Sequence, residues 1–156
     1  MKIKIDDKIF EKFSGLNIGV VVAKGIDNTG ADGRINDVIR EQEKEIISNF
    51  EKGTLSENPK INAWRKAYSS FGAKPKKYKC SVENLYRMIL DGIELKPINK
   101  VVDIYNYISI KHIVPVGGDD IDNVDGSITL KIANGAEKFR ELNSDCDTNP
   151  KEGEVV

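Results

Sequence analysis

An α+β fold is what the sequence predicts, on three observations: period-two apolar alternation at the start of the chain, helical apolar spacing through its middle third, and a return to alternation towards the end. Strands, then helices, then strands argue against a repeated βαβ plan, and no internal repeat is visible. The 156 residues suit one domain over 1–156, long enough to bury about two thirds of its unfolded surface without staples.

Lys2-Ile3-Lys4-Ile5 alternates strictly, and Leu16 to Val22 is rich in β-branched residues before Lys24-Gly25, so two strands open the chain and are expected to pair. After the loop Asn28 to Gly33, the residues Ile35, Val38, Ile39, Ile46, Ile47 and Phe50 keep helical spacing among charges and predict a long amphipathic helix. Pro59 is placed to start a second helix, with Ile61, Trp64, Tyr68 and Phe71 on one stripe and Gly72 as a left-handed stop. Ser81 suits the N-cap of a helix over Val82 to Leu90, which Asp91-Gly92 ends. Beyond Pro97, Asn99 suits the cap of a further helix with Val101, Val102, Tyr105 and Ile108 on one face. The period then changes. His112-Ile113-Val114-Pro115-Val116 is apolar and β-branched, Gly117-Gly118 interrupts it, and Ser127 to Ile132 alternates cleanly, so strands resume. Gly153 to Val156 reads as a turn entering a strand, expected of a domain that is C-terminally truncated or ends in a short edge strand.

Hydrophobic residues make up 39% of the chain and charged residues 31%, which excludes collagen, low-complexity disorder and a coiled coil. The longest apolar run, Ile18 to Ala23, falls far short of the roughly 20 residues of a membrane span, and the first residues hold no signal-peptide core. A cytoplasmic protein with no membrane partner is expected. Cys80 and Cys146 form no C-x-x-C pair and adjoin no histidine cluster, so neither a metal site nor a disulfide framework is expected. The formal charge is −1, but it is unevenly placed: Lys60 to Lys79 holds seven basic residues and no acid, while Asp119, Asp120, Asp122 and Asp125 are acidic.

Several of these residue patterns could carry chemistry. The acidic stretch is no calcium loop, because a frame from Asp120 puts Val124 at an oxygen-ligand position and Lys131 where a bidentate Glu belongs. His112 is the only histidine and would have to act alone. Gly117 and Gly118 can adopt backbone angles closed to other residues, so their amides could form an anion nest for an oxyanion, or the pair could be a plain turn. The loop Asn28 to Gly33 matches no phosphate-binding glycine pattern. In the basic stretch, Trp64, Tyr68, Phe71 and Tyr78 interleave with cations, as stacking on single-stranded RNA needs, although the same spacing serves a core.

Taken together, Asn62 to Tyr68, Phe71 to Tyr78, Ser81 to Leu85, Ile98 to Asn106, Val114 to Asp122, Gly126 to Ala133 and Gly135 to Phe139 follow one order and spacing. That pattern resembles the freestanding relatives of the tRNA-editing module, the third and fourth B modules, of the phenylalanyl-tRNA synthetase beta subunit. The likeness runs from about Lys60 to Val156, and more loosely through the first helix. It implies that module's α+β fold, a mixed or antiparallel sheet with helices, around a cleft for the acceptor end of tRNA. The implied activity is an aminoacyl-tRNA deacylase that hydrolyses a mischarged ester in trans, without cofactor or metal. The alternative is a non-catalytic RNA-binding module of the same fold; a small-molecule enzyme has no motif in its favour. The implied catalytic cleft uses Asn99, Asp103, Tyr105, Asn106, Gly117 and Gly118, and the implied tRNA contacts are Arg65, Lys66, Lys74, Lys76 and Lys77. The synthetase module has a histidine where Gly117 stands and a threonine where Tyr105 stands, so its specificity against tyrosine does not transfer. The acidic residue with which that module recognises its substrate would fall beyond Val156. Neither a synthetase partner nor self-association is specified.

Overall fold

The computed structural model describes residues 2–140 and 144–156, and these contain five α-helices, one 3-10 turn and four short strands. The chain divides into two compact units, one from residues 1–21, 67–74 and 119–156, the other from residues 22–66 and 75–118.

In the first unit, β1 (Lys2–Ile5) pairs in parallel with β2 (Ser127–Leu130), from Lys2 opposite Ser127 to Ile5 opposite Leu130. Helix α1 (Asp7–Lys12) follows β1 at once: Asp6 donates its amide to the Leu130 carbonyl at 2.9 Å and caps the helix by accepting from Lys8 N at 2.9 Å. Beyond β2 the chain pairs antiparallel with its C-terminal residues, Lys131 and Val156 exchanging N–H···O bonds of 2.8 and 2.9 Å. The expected final turn is therefore present, with Gly153 at φ +87°, while in place of the expected strand Val155 makes an isolated antiparallel bridge with Ile132. A second pair, β3 (Phe139–Arg140) and β4 (Asp147–Thr148), is antiparallel.

Two expected strands do not form. Leu16 to Val22 takes no regular structure, and Val21 is 93% exposed. Strand preference is realised only where a partner supplies the ladder, and β1 takes β2 as its partner instead. The sheet is accordingly two small sheets, one parallel and one antiparallel, in place of one mixed sheet.

The second unit is helical. It holds α2 (Gly33–Asn49), the 3-10 turn Leu55–Glu57, the body of α3 (Pro59–Ser70), α4 (Ser81–Leu90) and α5 (Lys100–His112). Ile39 and Ile46 of α2 are buried together with Leu55, Ile61, Val82, Tyr86, Ile89 and Ile110. Phe50 meets Tyr86 edge-on at 5.0 Å, and the Tyr86 hydroxyl donates to the Ile110 carbonyl at 2.7 Å. Pro59 starts α3 as expected, and Gly72 and Gly92 take φ of +89° and +77° just past α3 and α4. At the start of α4, Cys80 occupies the cap position and Ser81 is the first helical residue. The buried Glu43 accepts the Leu95 amide at 2.8 Å and pairs with Arg40 at 2.7 Å, while its burial pushes its pKa up.

The strand expected over His112 to Val116 is the second correction. Helix α5 runs through His112, and Ile113 caps it in the left-handed region at φ 53°, ψ 57°. Ser109 enforces this turn: its carbonyl accepts the Val114 amide at 3.2 Å and its hydroxyl donates to the Val114 carbonyl at 2.7 Å. Both strand-type backbone groups of Val114 are thereby used by the helix end.

Candidate active site

The residues implied for catalysis all lie on α5 or on the segments entering and leaving it. Asn99 is the cap the sequence indicated, its side-chain oxygen accepting the Val102 amide at 3.0 Å. The Gly-rich loop supplies a second cap, because Asn28 accepts the Val101 amide at 2.9 Å and Asp27 holds Lys100 Nζ at 3.2 Å. Hydrogen bonds from Thr29, then the bond to Lys100, lower the pKa of Asp27 to about 2. Asp103 is only 2% exposed; its Oδ1 accepts the Ile98 amide at 2.9 Å, and its Oδ2 is buried without a hydrogen-bond partner. Asn99 and Asp103 thus fasten the entry to α5.

At about 100° per residue, Asn106 lies about 60° from Asp103 around the helix and Tyr105 about 200° from it. Asn99, Asp103 and Asn106 share one side of α5, and Tyr105 leaves from the opposite side. The six residues therefore do not converge on one point. What the fold does bring together is Tyr105 and Gly118: a Cβ on Gly118 would meet the Tyr105 ring at 3.3 Å, whereas one on Gly117 would meet nothing within 4 Å. Neither glycine takes a positive φ, so the left-handed geometry that would make an anion nest is absent at this pair. A side chain at position 118 would press on the ring unless the ring shifts by a few tenths of an ångström. Among the described residues, no hydrogen bond engages the amide of Gly117 or of Gly118. His112 is exposed, and its carbonyl accepts Lys60 Nζ at 2.7 Å.

The basic residues divide into two kinds. Lys66, Lys74, Lys76 and Lys77 are exposed, Lys74 in the first unit and the others in the second. Lys77 Nζ sits 4.9 Å from the Tyr78 ring, and its hydrogen bond with Tyr78 raises its pKa. Lys79 Nζ donates to the Lys76 carbonyl at 2.9 Å and braces that loop. Arg65, by contrast, is half-buried and donates to Glu83 Oε1 at 2.8 Å. Of the aromatics, Tyr68 and Phe71 pack on each other at 5.3 Å, and Tyr78 is 50% exposed. The sequence does not single out Glu83 and Arg87, since their i,i+4 spacing is a common helix-surface pair and the burial of Glu83 has no local signature.

Among the described residues, no helix is long and apolar enough to cross a membrane. A family model described as the B3/4 domain matches residues 63–156, more than half of the chain. No curated protein and no solved structure matches the chain.

Proposed function

The chain belongs to the B3/4 domain family, whose members are related to the editing domain of the phenylalanyl-tRNA synthetase beta subunit, and from that premise we propose that it hydrolyses the ester of mischarged aminoacyl-tRNA. The observation that carries this reading is the packing of the Tyr105 ring on Gly118, beside two glycine amides that no other described group uses. Water adds to the ester carbonyl, and the amides of Gly117 and Gly118, which no described group engages, donate to the oxyanion as separate groups and not as a concave nest. Collapse of this intermediate breaks the bond to the ribose oxygen, which takes up the proton left by the water; free amino acid and tRNA are released. An aminoacyl ester is already activated, so positioning of water and oxyanion stabilisation suffice for the step. The Tyr105 ring walls the amino-acid pocket, and Asn99 and Asp103, on the other side of α5, position that helix. Lys66, Lys74, Lys76, Lys77 and Arg65 are each assigned to contacts with phosphates.

The test is to screen the purified chain against a panel of mischarged tRNAs and follow release of the amino acid. Hydrolysis of at least one member is expected, and Tyr105→Ala is expected to slow it about tenfold or more, as loss of substrate positioning does. The exposed lysines and Tyr78 also favour a second reading, an RNA-binding module without catalysis. Binding of tRNA with no deacylation of any panel member would select that reading.

A further inference from the structure

A cluster joining α3 and α4 has no place in the hydrolytic site. Glu83 is fully buried in the first turn of α4, yet the hydrogen bonds it accepts, from Arg65 Nη1 at 2.8 Å and Arg87 Nε at 2.9 Å, fall on one oxygen, which Arg87 Nη2 also meets as an ion pair at 2.8 Å. Its Oε2 is buried with no hydrogen-bond partner. The arginine side chains keep 22% and 24% exposure while the acid has none, so the guanidiniums lie towards the surface and the carboxylate beneath them. Among the described residues, no second carboxylate pairs with Arg87.

From this arrangement we infer that Glu83 is a positioning residue which holds Arg65 and Arg87 as a paired clamp for a phosphodiester of the RNA backbone. The inference rests on the tRNA reading above and adds a contact to it. A buried ion pair is not needed for stability as such, since apolar residues of similar volume often serve equally well. What this one supplies is order. Arg87 is gripped along its Nε and Nη2 edge, which fixes the guanidinium plane and leaves its Nη1 edge able to donate. A fork held in this way loses little entropy when it meets a phosphate, and its planar donors match the phosphate oxygens.

Glu83→Gln separates positioning from plain charge, because the two give opposite signs. Removing an acid raises the net charge by one, so a purely electrostatic surface would bind RNA more tightly. A clamp that depends on Glu83 would bind less tightly. The probe is an uncharged RNA minihelix with a single-stranded 3′ end, titrated over a range of salt with wild type, Glu83→Gln, Arg87→Gln and Arg87→Lys, each first checked for a native far-UV spectrum. We expect Glu83→Gln and Arg87→Gln to weaken binding about tenfold, the worth of a charge-assisted hydrogen bond. Arg87→Gln should also flatten the log–log salt slope by about 0.7. Arg87→Lys keeps Glu83 paired with cations and guards against a folding artefact; the loss of the fork should still weaken binding. Equal or tighter binding by Glu83→Gln, or an unchanged slope for Arg87→Gln, would overturn the clamp, as would a wild-type chain that does not bind the minihelix. Binding by wild type without hydrolysis of a charged tRNA would overturn the deacylase alone.

Discussion

Alanine at Gly118 and alanine at Gly117 should act with opposite sign on stability. A Cβ at Gly118 lands 3.3 Å from Tyr105 Cε1, closer than ordinary van der Waals contact, and 3.7 Å from Cδ1, within it. The ring is half-buried and can yield by a few tenths of an ångström, so the cost belongs at the low end of overpacking, about 1 kcal/mol. At Gly117 the added methyl meets nothing within 4 Å and φ is not positive, so alanine should stabilise by about 0.5 kcal/mol through the lower entropy of the unfolded chain. The variants should thus differ by about 1.5 kcal/mol, or about 3–6 °C in melting temperature for a chain of this size. Chemical denaturation followed by circular dichroism measures both. In a Tyr105→Ala background the penalty at Gly118 should vanish, since the clashing ring is gone. If Gly118→Ala melts with wild type, or if its penalty survives loss of the ring, Tyr105 does not pack on this glycine and the site described above is wrong at its centre.

Ile113 invites a similar comparison. A left-handed non-glycine residue costs about 1–2 kcal/mol, so Ile113→Gly should be more stable than Ile113→Ala by about 1 kcal/mol, the reverse of the usual order; equal melting points would remove the strain. Replacing Asn99 by alanine should cost about 1 kcal/mol through loss of the α5 cap, measurable by urea unfolding, whereas a change within 0.2 kcal/mol would show that Asn28 suffices. Burial pushes the Tyr86 pKa up to about 12 from its usual 10, so between these values the unfolded chain has already released a proton that the folded chain retains. Stability should therefore be intact below pH 10 and fall as pH rises towards 12; Tyr86→Phe should lose that share of the alkaline slope, and an unchanged slope would refute the assignment.

Helices α2 to α5 were legible because their signals are local. Apolar spacing, Pro59 at the first position of α3, Gly72 and Gly92 past two C-termini and Asn99 at an N-cap each act within a turn or two of chain. Helix α1 carries no such signal because six residues are too few to display a period. The alternation in Lys2–Ile5 and in Ser127–Leu130 marked each as a strand, but their pairing, and the failure of the more apolar Leu16 to Val22 to join, depend on distant backbone groups. At the site, the family pattern pointed to Tyr105 and Gly118, and helix spacing alone sets Tyr105 on the side of α5 away from Asp103. The burial of Asp103, the contact of Tyr105 with Gly118 and the capture of Arg65 by Glu83 are properties of packed elements. By itself the sequence determined which segments coil, where they stop and which family the chain resembles, since these follow from short-range stereochemistry and residue order. Tertiary structure alone decided which polar groups lose water and which charges meet, because desolvation and ion pairing depend on neighbours that the linear order does not bring together.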